Sequence, residues 1–403
     1  MAMLSFDEAL VQLLANARQV AGIESLPTQA ACGRVLAAAQ FSAIAVPPQD
    51  NSSMDGYAVR CCDVSVTGTR LAVAQRIPAG SVGHRLSAGT AARIFTGAPV
   101  PAGADAIVMQ ELVSREGDAV IINHLPAAGD WIRRAGEDIG RGDQVLAAGL
   151  RLLPQHLGLA ASIGLATLPV FRRLKVALFS TGDELVMPGE IAPEELPPGA
   201  IYNSNRYLLA GLLSQLGCEV GDLGIVPDSL TATREALRRA AQRFDLILTS
   251  GGVSVGEEDH IKPAVEAEGV LDLWKIAIKP GKPLAFGGVG DASFIGLPGN
   301  PVSSFVTFLL LVRPFILKCQ GATATVPKPL TLRADFDLAR PDPRREFLRA
   351  RRNDAGGLEL FPNQSSGVLT SAAWADGLID NPPGKPIRRG DPVSFLPFSE
   401  LLY

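Results

Sequence analysis

Residues 249–259 read TSGGVSVGEED and residues 275–287 read KIAIKPGKPLAFG. The first stretch places Ser250, Gly251, Gly252, Ser254 and Gly256 after an apolar run and then turns acidic. Glycines let a backbone approach a ligand closely and turn its N–H groups inward, as phosphate-binding loops require. The second stretch sets Lys275, Lys279 and Lys282 around a turn stiffened by Pro280, Gly281 and Pro283. Cations held on a stiff turn lose little entropy on meeting an anion. Fixed cations, open amides and carboxylates together suit an anionic substrate handled with a hard metal ion. Each stretch alone also suits a plainer reading, a tight strand-to-helix turn or a solvated lysine loop. Neither is a P-loop or a dinucleotide fingerprint.

Other stretches offer further chemistry. FSTGDELVMPGE (179–190) puts Asp183 and Glu184 at a strand end, where carboxylates can hold Mg²⁺. Adjacent side chains diverge, so one of the two faces inward, and TGD equally suits a helix cap. GLPGNPVSSFVTF (296–308) flanks GN with Pro298 and Pro301 and reads as a shaped turn presenting amides, or as a structural corner. Asp55 in NSSMDGYAV, Thr96 in RIFTGAPVP, and Glu137 with Asp138 in AGEDIGRGD each fit ordinary turn chemistry when taken singly. The four histidines are scattered, without metal or triad spacing.

These residues need elements to position them. SFDEAL opens a helix with a Ser5–Glu8 capping box and an apolar face through Leu10, Leu13, Leu14 and Ala17. Residues 22–45 read as short connecting strands, and 46–145 as a β-rich module full of Gly and Pro turns. A helix opening near Pro154 returns the chain to the first segment, so 1–45 with 146–170 form one domain. From 171 to 325 strands alternate with helices, which predicts a doubly wound parallel sheet. Its strands include 173–180 and 245–250. One helix over 203–217 is capped by Ser204 and closed at Gly217, and another opens near Glu257 or Glu258. Ligands in such sheets sit beyond the carboxyl ends of the strands, here the loops after Ser180, Val226 and Ser250. Residues 326–403 suggest a small C-terminal β-barrel. The fold class is multidomain α/β plus β.

Composition narrows the field. The 403 residues are 47% hydrophobic and 19% charged, with mean hydropathy +0.20. A net charge of −4 leaves no footprint for nucleic acid. The strongest apolar run, FVTFLLLV (305–312), is too short to span a membrane. The N-terminal stretch lacks a basic region before its apolar residues, so no signal peptide is expected. Five cysteines without CxxC spacing argue against zinc and against a full disulfide framework. Reduced thiols and a cytoplasmic location are expected.

In their order, NSSMDGYAV, RIFTGAPVPAGADAIV, AGEDIGRGD, STGDELV, SGGVSVGEED, KIAIKPGKPLAFG and GLPGNPVSSF resemble the molybdopterin molybdenumtransferases. This is the bacterial MoeA type, related to the E domains of gephyrin and of the plant fusion protein. The resemblance covers essentially the whole chain. It implies an elongated homodimer and two substrates, molybdate and adenylylated molybdopterin. With Mg²⁺ the phosphoanhydride is cleaved, AMP leaves and molybdenum reaches the dithiolene. Functional carboxylates then fall on Asp55, Asp138, Glu184, Asp228 and Asp259, with Glu184, Asp228 and Asp259 as metal ligands. Lys275 and Lys279 match functional lysines, Lys282 and Ser254 lie close to the molybdate site, and Thr96, Pro298 and Pro301 match positions linked to activity. Arg345 and Ser366 are implied anion contacts. In that family the cleft lies between the α/β domain of one subunit and the β-rich module of the other. Transient contact with a molybdopterin adenylyltransferase and with downstream cofactor enzymes is also implied. Two departures stand out: Ser229 where a second Asp is common, and Asn203 where Asp often occurs. Rival readings are the preceding adenylylation step and a peptide-binding scaffold of the gephyrin kind.

Overall fold

The structure, a computed structural model, describes residues 3–252 and 260–402. The helix Phe6–Ala15 opens with the expected capping box, Glu8 N–H donating to Ser5 Oγ at 3.2 Å, and buries Ala9 and Leu13. Strand Ile23–Pro27 pairs antiparallel with Thr167–Phe171, and Gln40–Phe41 pairs with Gln144–Leu146. The chain thus leaves for the β-rich module and returns beside its own start.

That module is a six-stranded sheet. Its fully buried strand Gly56–Val59 lies between Thr90–Ile94 and Ala106–Met109. Pairing of Gly56 with Ile94 places the residue before one strand, Asp55, at the same end as the residues that follow the other, including Thr96.

The central domain contains β1 (Lys175–Thr181), α1 (Ser204–Gln215), β2 (Glu219–Val226), α2 (Leu230–Ala241), β3 (Leu246–Ser250), α3 (Ile261–Glu268), β4 (Gly269–Lys275), β5 (Pro283–Val289), β6 (Ala292–Leu297) and α4 (Pro301–Cys319). The sheet order is β2-β1-β3-β6-β5-β4. Alternation along β1 explains the two layers. Val176 and Leu178 join the core shared with α1 and α4, whereas Ala177 and Phe179 join the core shared with α2 and α3.

Three expectations change. The sheet is mixed, because β5 runs antiparallel to β6 and β4 antiparallel to β5. A two-residue turn, with Gly290 at φ +57°, folds β5 and β6 into a hairpin where a crossover was expected. Asn203 rather than Ser204 caps α1, its side chain accepting from Arg206 N–H at 3.1 Å. The apolar stretch is longer than the sequence run suggested. α4 spans 19 residues and is long and apolar enough to cross a membrane, but 94% of an 18-residue stretch of it is buried, as in a core helix. Its five-residue π-helical stretch, Phe308–Val312, widens the helix just ahead of Pro314, whose ring would clash with a preceding carbonyl in a regular turn. The helix start expected at Glu257 or Glu258 lies outside the described residues.

The C-terminal sheet runs Leu330–Arg333, Pro392–Pro397, Gly377–Asn381, Arg345–Arg352 and Leu358–Leu360 in spatial order. A bridge between Ala334 and Leu358 joins the two ends and closes it into a barrel. Strand Ile278–Lys279 adds parallel to Arg345–Glu346, which fixes the KPGKP turn against the barrel.

Candidate active site

A cleft of about 790 Å³ opens at the carboxyl ends of β1, β2, β3 and β6. The chain leaves β1 toward β2 on one side, while β3 neighbours β6 on the other, so the cleft sits where the strand order diverges. Of the residues singled out in the sequence, Glu184, Asp228, Ser250, Gly251, Gly252, Pro298 and Pro301 line it.

Backbone geometry explains the glycines. Gly182, at φ +140°, lies under the Glu184 carboxylate, which a Cβ there would meet at 2.5 Å. Gly252, at φ +67°, lies against Ile261, 2.4 Å from where a Cβ would stand. Side chains at either position would fill the turn or push Glu184 away. The Gly251 amide is not open to a ligand, because it donates to the Leu297 carbonyl at 3.1 Å. Pro301 starts α4, where its missing N–H costs nothing, and Ser304 Oγ donates to the Pro298 carbonyl.

Two further residues sit at the cleft edge. Lys282 is exposed and precedes Pro283, which lines the cleft. The Ser366 carbonyl accepts from Val302 N–H at 3.0 Å, and its neighbour Gly367 lines the cleft. The remaining predictions lie elsewhere in the subunit. Asp55 Oδ1 accepts from both Thr96 N–H and Thr96 Oγ1 at 2.8 Å, bonds that hold its carboxyl below the usual range. Asp138 is exposed, and its N–H donates to Val46. Lys275 is exposed at the end of β4. Lys279 Nζ faces Glu346 at 3.2 Å and Asp342 at 3.4 Å. Arg345 pairs with Asp380 at 2.6 Å and Asp7 at 3.0 Å, and stacks over Phe6. It lines a different hollow, of about 370 Å³. Ser254 and Asp259 lie outside the described residues.

Sequence reasoning noted Asn203 only as a departure and missed Ser180 and Asn205 as the polar floor of the cleft. Ser180 Oγ, Asn203 Nδ2 and Asn205 Oδ1 are buried without a hydrogen-bond partner among the described residues, and all three residues line the cleft. Their signal was present: Ser180 ends the first sheet strand, and NSN opens the helix that follows. Ser229, one of the noted departures, caps α2 by accepting from Ala232 N–H at 3.3 Å, while Asp228 beside it faces the cleft. Glu184 and Asp228 supply hard oxygen donors of the kind Mg²⁺ takes. Among the described residues no cluster of three His, Cys, Asp or Glu side chains forms a ready metal site.

Comparison with known proteins decides the family. Residues 4–164 match the MoeA N-terminal region (domain I and II), 177–318 a probable molybdopterin binding domain, and 331–398 the MoeA C-terminal region (domain IV). A molybdopterin molybdenumtransferase of Haemophilus influenzae is 41% identical over 99% of this chain and 100% of its own length. The chain belongs to the molybdopterin molybdenumtransferase family. Its relative from Synechococcus elongatus is 38% identical over 91% of this chain and 93% of its own. A crystal structure of a molybdopterin biosynthesis MoeA protein from Pyrococcus horikoshii superposes with a TM-score of 0.84 at 29% identity, covering 98% of this chain and 99% of that one. All the cleft's lining residues but Gly367 fall within the part that matches the probable molybdopterin binding domain, while Asp55, Thr96 and Asp138 fall within the MoeA N-terminal part.

Proposed function

We propose that this chain acts in molybdenum cofactor biosynthesis. It inserts molybdenum from molybdate into adenylylated molybdopterin, with Mg²⁺-dependent cleavage of the phosphoanhydride and release of AMP. The observation that carries this reading is a single cleft, at the divergence of the sheet, that combines carboxylates, tight glycine turns and unpartnered buried polar atoms. A phosphoanhydride needs its charge neutralised as it breaks, and molybdate needs donors. Glu184 and Asp228, with Asp259, would hold Mg²⁺, which would supply that neutralisation when bound. The chain's own part is to position. Gly182 keeps Glu184 folded over the turn, and Pro298 and Pro301 shape the opposite wall. Lys282 at the rim offers a cation to an incoming anion.

Asp55, Thr96 and Asp138 are not among the residues lining this cleft. A homodimer in which the β-rich module of a second copy covers it accounts for a set of carboxylates split between two regions. The reading also places the protein in the cytoplasm, in transient contact with the adenylyltransferase that supplies its substrate and with enzymes that receive the product.

The test is AMP release from adenylylated molybdopterin with Mg²⁺, with and without molybdate. Wild type should release AMP in a molybdate-dependent manner. Glu184→Gln should slow release by about 10²-fold, as for loss of a preorganised electrostatic contact. A near-wild-type rate in folded Glu184→Gln protein would remove Glu184 from the mechanism, and no release by wild type would overturn the function.

A further inference from the structure

One side chain links three walls of the cleft. Asn205, in the first turn of α1, uses its amide nitrogen twice: it donates to Ser250 Oγ at 2.8 Å and to the Gly299 carbonyl at 2.7 Å. A carbonyl can only accept, so the atom facing Gly299 must be the nitrogen, and the amide has one orientation. Both of its protons are then committed. Ser250 Oγ therefore accepts from Asn205, which leaves the serine's own proton to be given to something else. Ser250 is 3% exposed, ends β3 and lines the cleft, and among the described residues no group takes that proton. Beside it Ser180, its register partner on β1, is 1% exposed and has no partner for its hydroxyl among the described residues. A buried hydroxyl with a committed acceptor side and an open donor side is set to meet an acceptor.

We propose that Asn205 is a positioning residue that sets Ser250 as a hydrogen-bond donor toward a tetrahedral oxyanion, a phosphoryl group or molybdate. This rests on the reading of the cleft given under Proposed function and adds to it the residue that fixes the polarity of the binding wall. A free serine hydroxyl can donate or accept. With one lone pair taken by Asn205, its proton is directed away from that amide and stays free to donate, and an oxyanion offers nothing but acceptors. The same amide ties the end of β3 to the turn before α4, so loss of the side chain affects both walls at once.

Polarity can be inverted without changing size. In Asn205→Asp a carboxylate oxygen stands where the nitrogen was, takes the Ser250 proton and adds negative charge beside the anion. Asn205→Ala removes the donor and leaves the hydroxyl free to turn. Calorimetric titration of the full chain with inorganic pyrophosphate, and separately with molybdate, reads the consequence. Asn205→Asp should weaken binding by at least about tenfold, the worth of one hydrogen bond to a charged group, and Asn205→Ala by less. Which anion responds identifies which of the two Ser250 meets. In the AMP-release assay, run below each variant's melting temperature, the loss should appear in KM more than in kcat.

Anion affinity in Asn205→Asp within twofold of wild type, or a greater loss in Asn205→Ala than in Asn205→Asp, would overturn the inference. Should Asn205→Asp fail to fold, the cycle of Asn205→Ala, Ser250→Ala and their double variant decides. Coupled, non-additive losses of anion affinity support the relay, and additive losses overturn it. If wild type binds pyrophosphate but releases no AMP, the proposed reaction fails while these titrations still judge Asn205.

Discussion

The C-terminal barrel and the central cleft treat polar groups in opposite ways. In the barrel, acids and bases find each other: Arg333 with Asp335 at 2.8 Å, Arg344 with Asp342 at 2.8 Å, Arg345 with Asp380 at 2.6 Å. Even Arg349, 1% exposed and without a carboxylate, gives its protons to the carbonyls of Phe347 and Ser365 and to Ser371 Oγ. In the cleft, Ser180, Asn203 and Asn205 each keep a buried polar atom without a partner among the described residues. Folding alone favours the first arrangement, since an unpaired buried group costs about 1–3 kcal/mol. The second arrangement is one a site for a ligand has reason to keep. Substitutions should therefore act on stability in the barrel and on turnover in the cleft.

Arg349→Ala offers the strongest way to break that contrast. Burial lowers the pKa of this guanidinium to about 10, yet it stays charged at neutral pH, with each of its three nitrogens donating one hydrogen bond. Removing it leaves buried acceptors unpaired and opens a cavity, a combined loss of about 4 kcal/mol. Hydrogen exchange read by mass spectrometry over Arg345–Arg352 and Gly377–Asn381 should show the barrel opening well before the central sheet. Unchanged protection there would mean that the bonded network is not what stabilises the barrel.

A smaller effect follows from Asp335. Arg333, with Asn353 adding a bond at 2.8 Å, holds its carboxyl down to about 2. The folded pKa lies below the unfolded one, so this contribution is complete above about pH 4 and is lost as pH falls toward 2. Arg333→Gln should lower barrel protection modestly at neutral pH, where the pair's contribution is complete, and raise the acid midpoint of barrel exchange toward pH 4. An acid midpoint that stays where wild type has it would show that the pair does not govern the barrel's acid limit.

The same contrast explains what the sequence made legible. Glycines at 251 and 252, and the prolines around GN, marked the cleft because tight turns leave a signature in a few consecutive residues. The capping box at Ser5 and Glu8 was readable for the same reason. Pairings across long separations were not. Lys279 stands 67 residues from Glu346, and nothing near the lysine announces that an acid will face it. The β5–β6 hairpin was missed although Gly290 and Asp291 form a hairpin turn, because strand-helix alternation upstream suggested another crossover. Asn203 displaced Ser204 as the cap by one position, since both side chains can accept and only the helix start decides. Asn205 lay hidden in a helix opening that composition alone treats as ordinary.

The finest test lies at Ser180. Its hydroxyl is buried at the end of β1 and finds no partner among the described residues, so Ser180→Ala removes a group that folding does not use. The neighbours are packed, and the change leaves only the volume of one oxygen. Stability should hold or rise, by about 1 kcal/mol at most. Turnover should move the other way if the hydroxyl meets substrate, with AMP release slowed while the melting temperature is unchanged or higher. The comparison breaks if the melting temperature falls by several degrees. The hydroxyl would then have a partner in the fold itself, and the cleft would be no different in kind from the barrel.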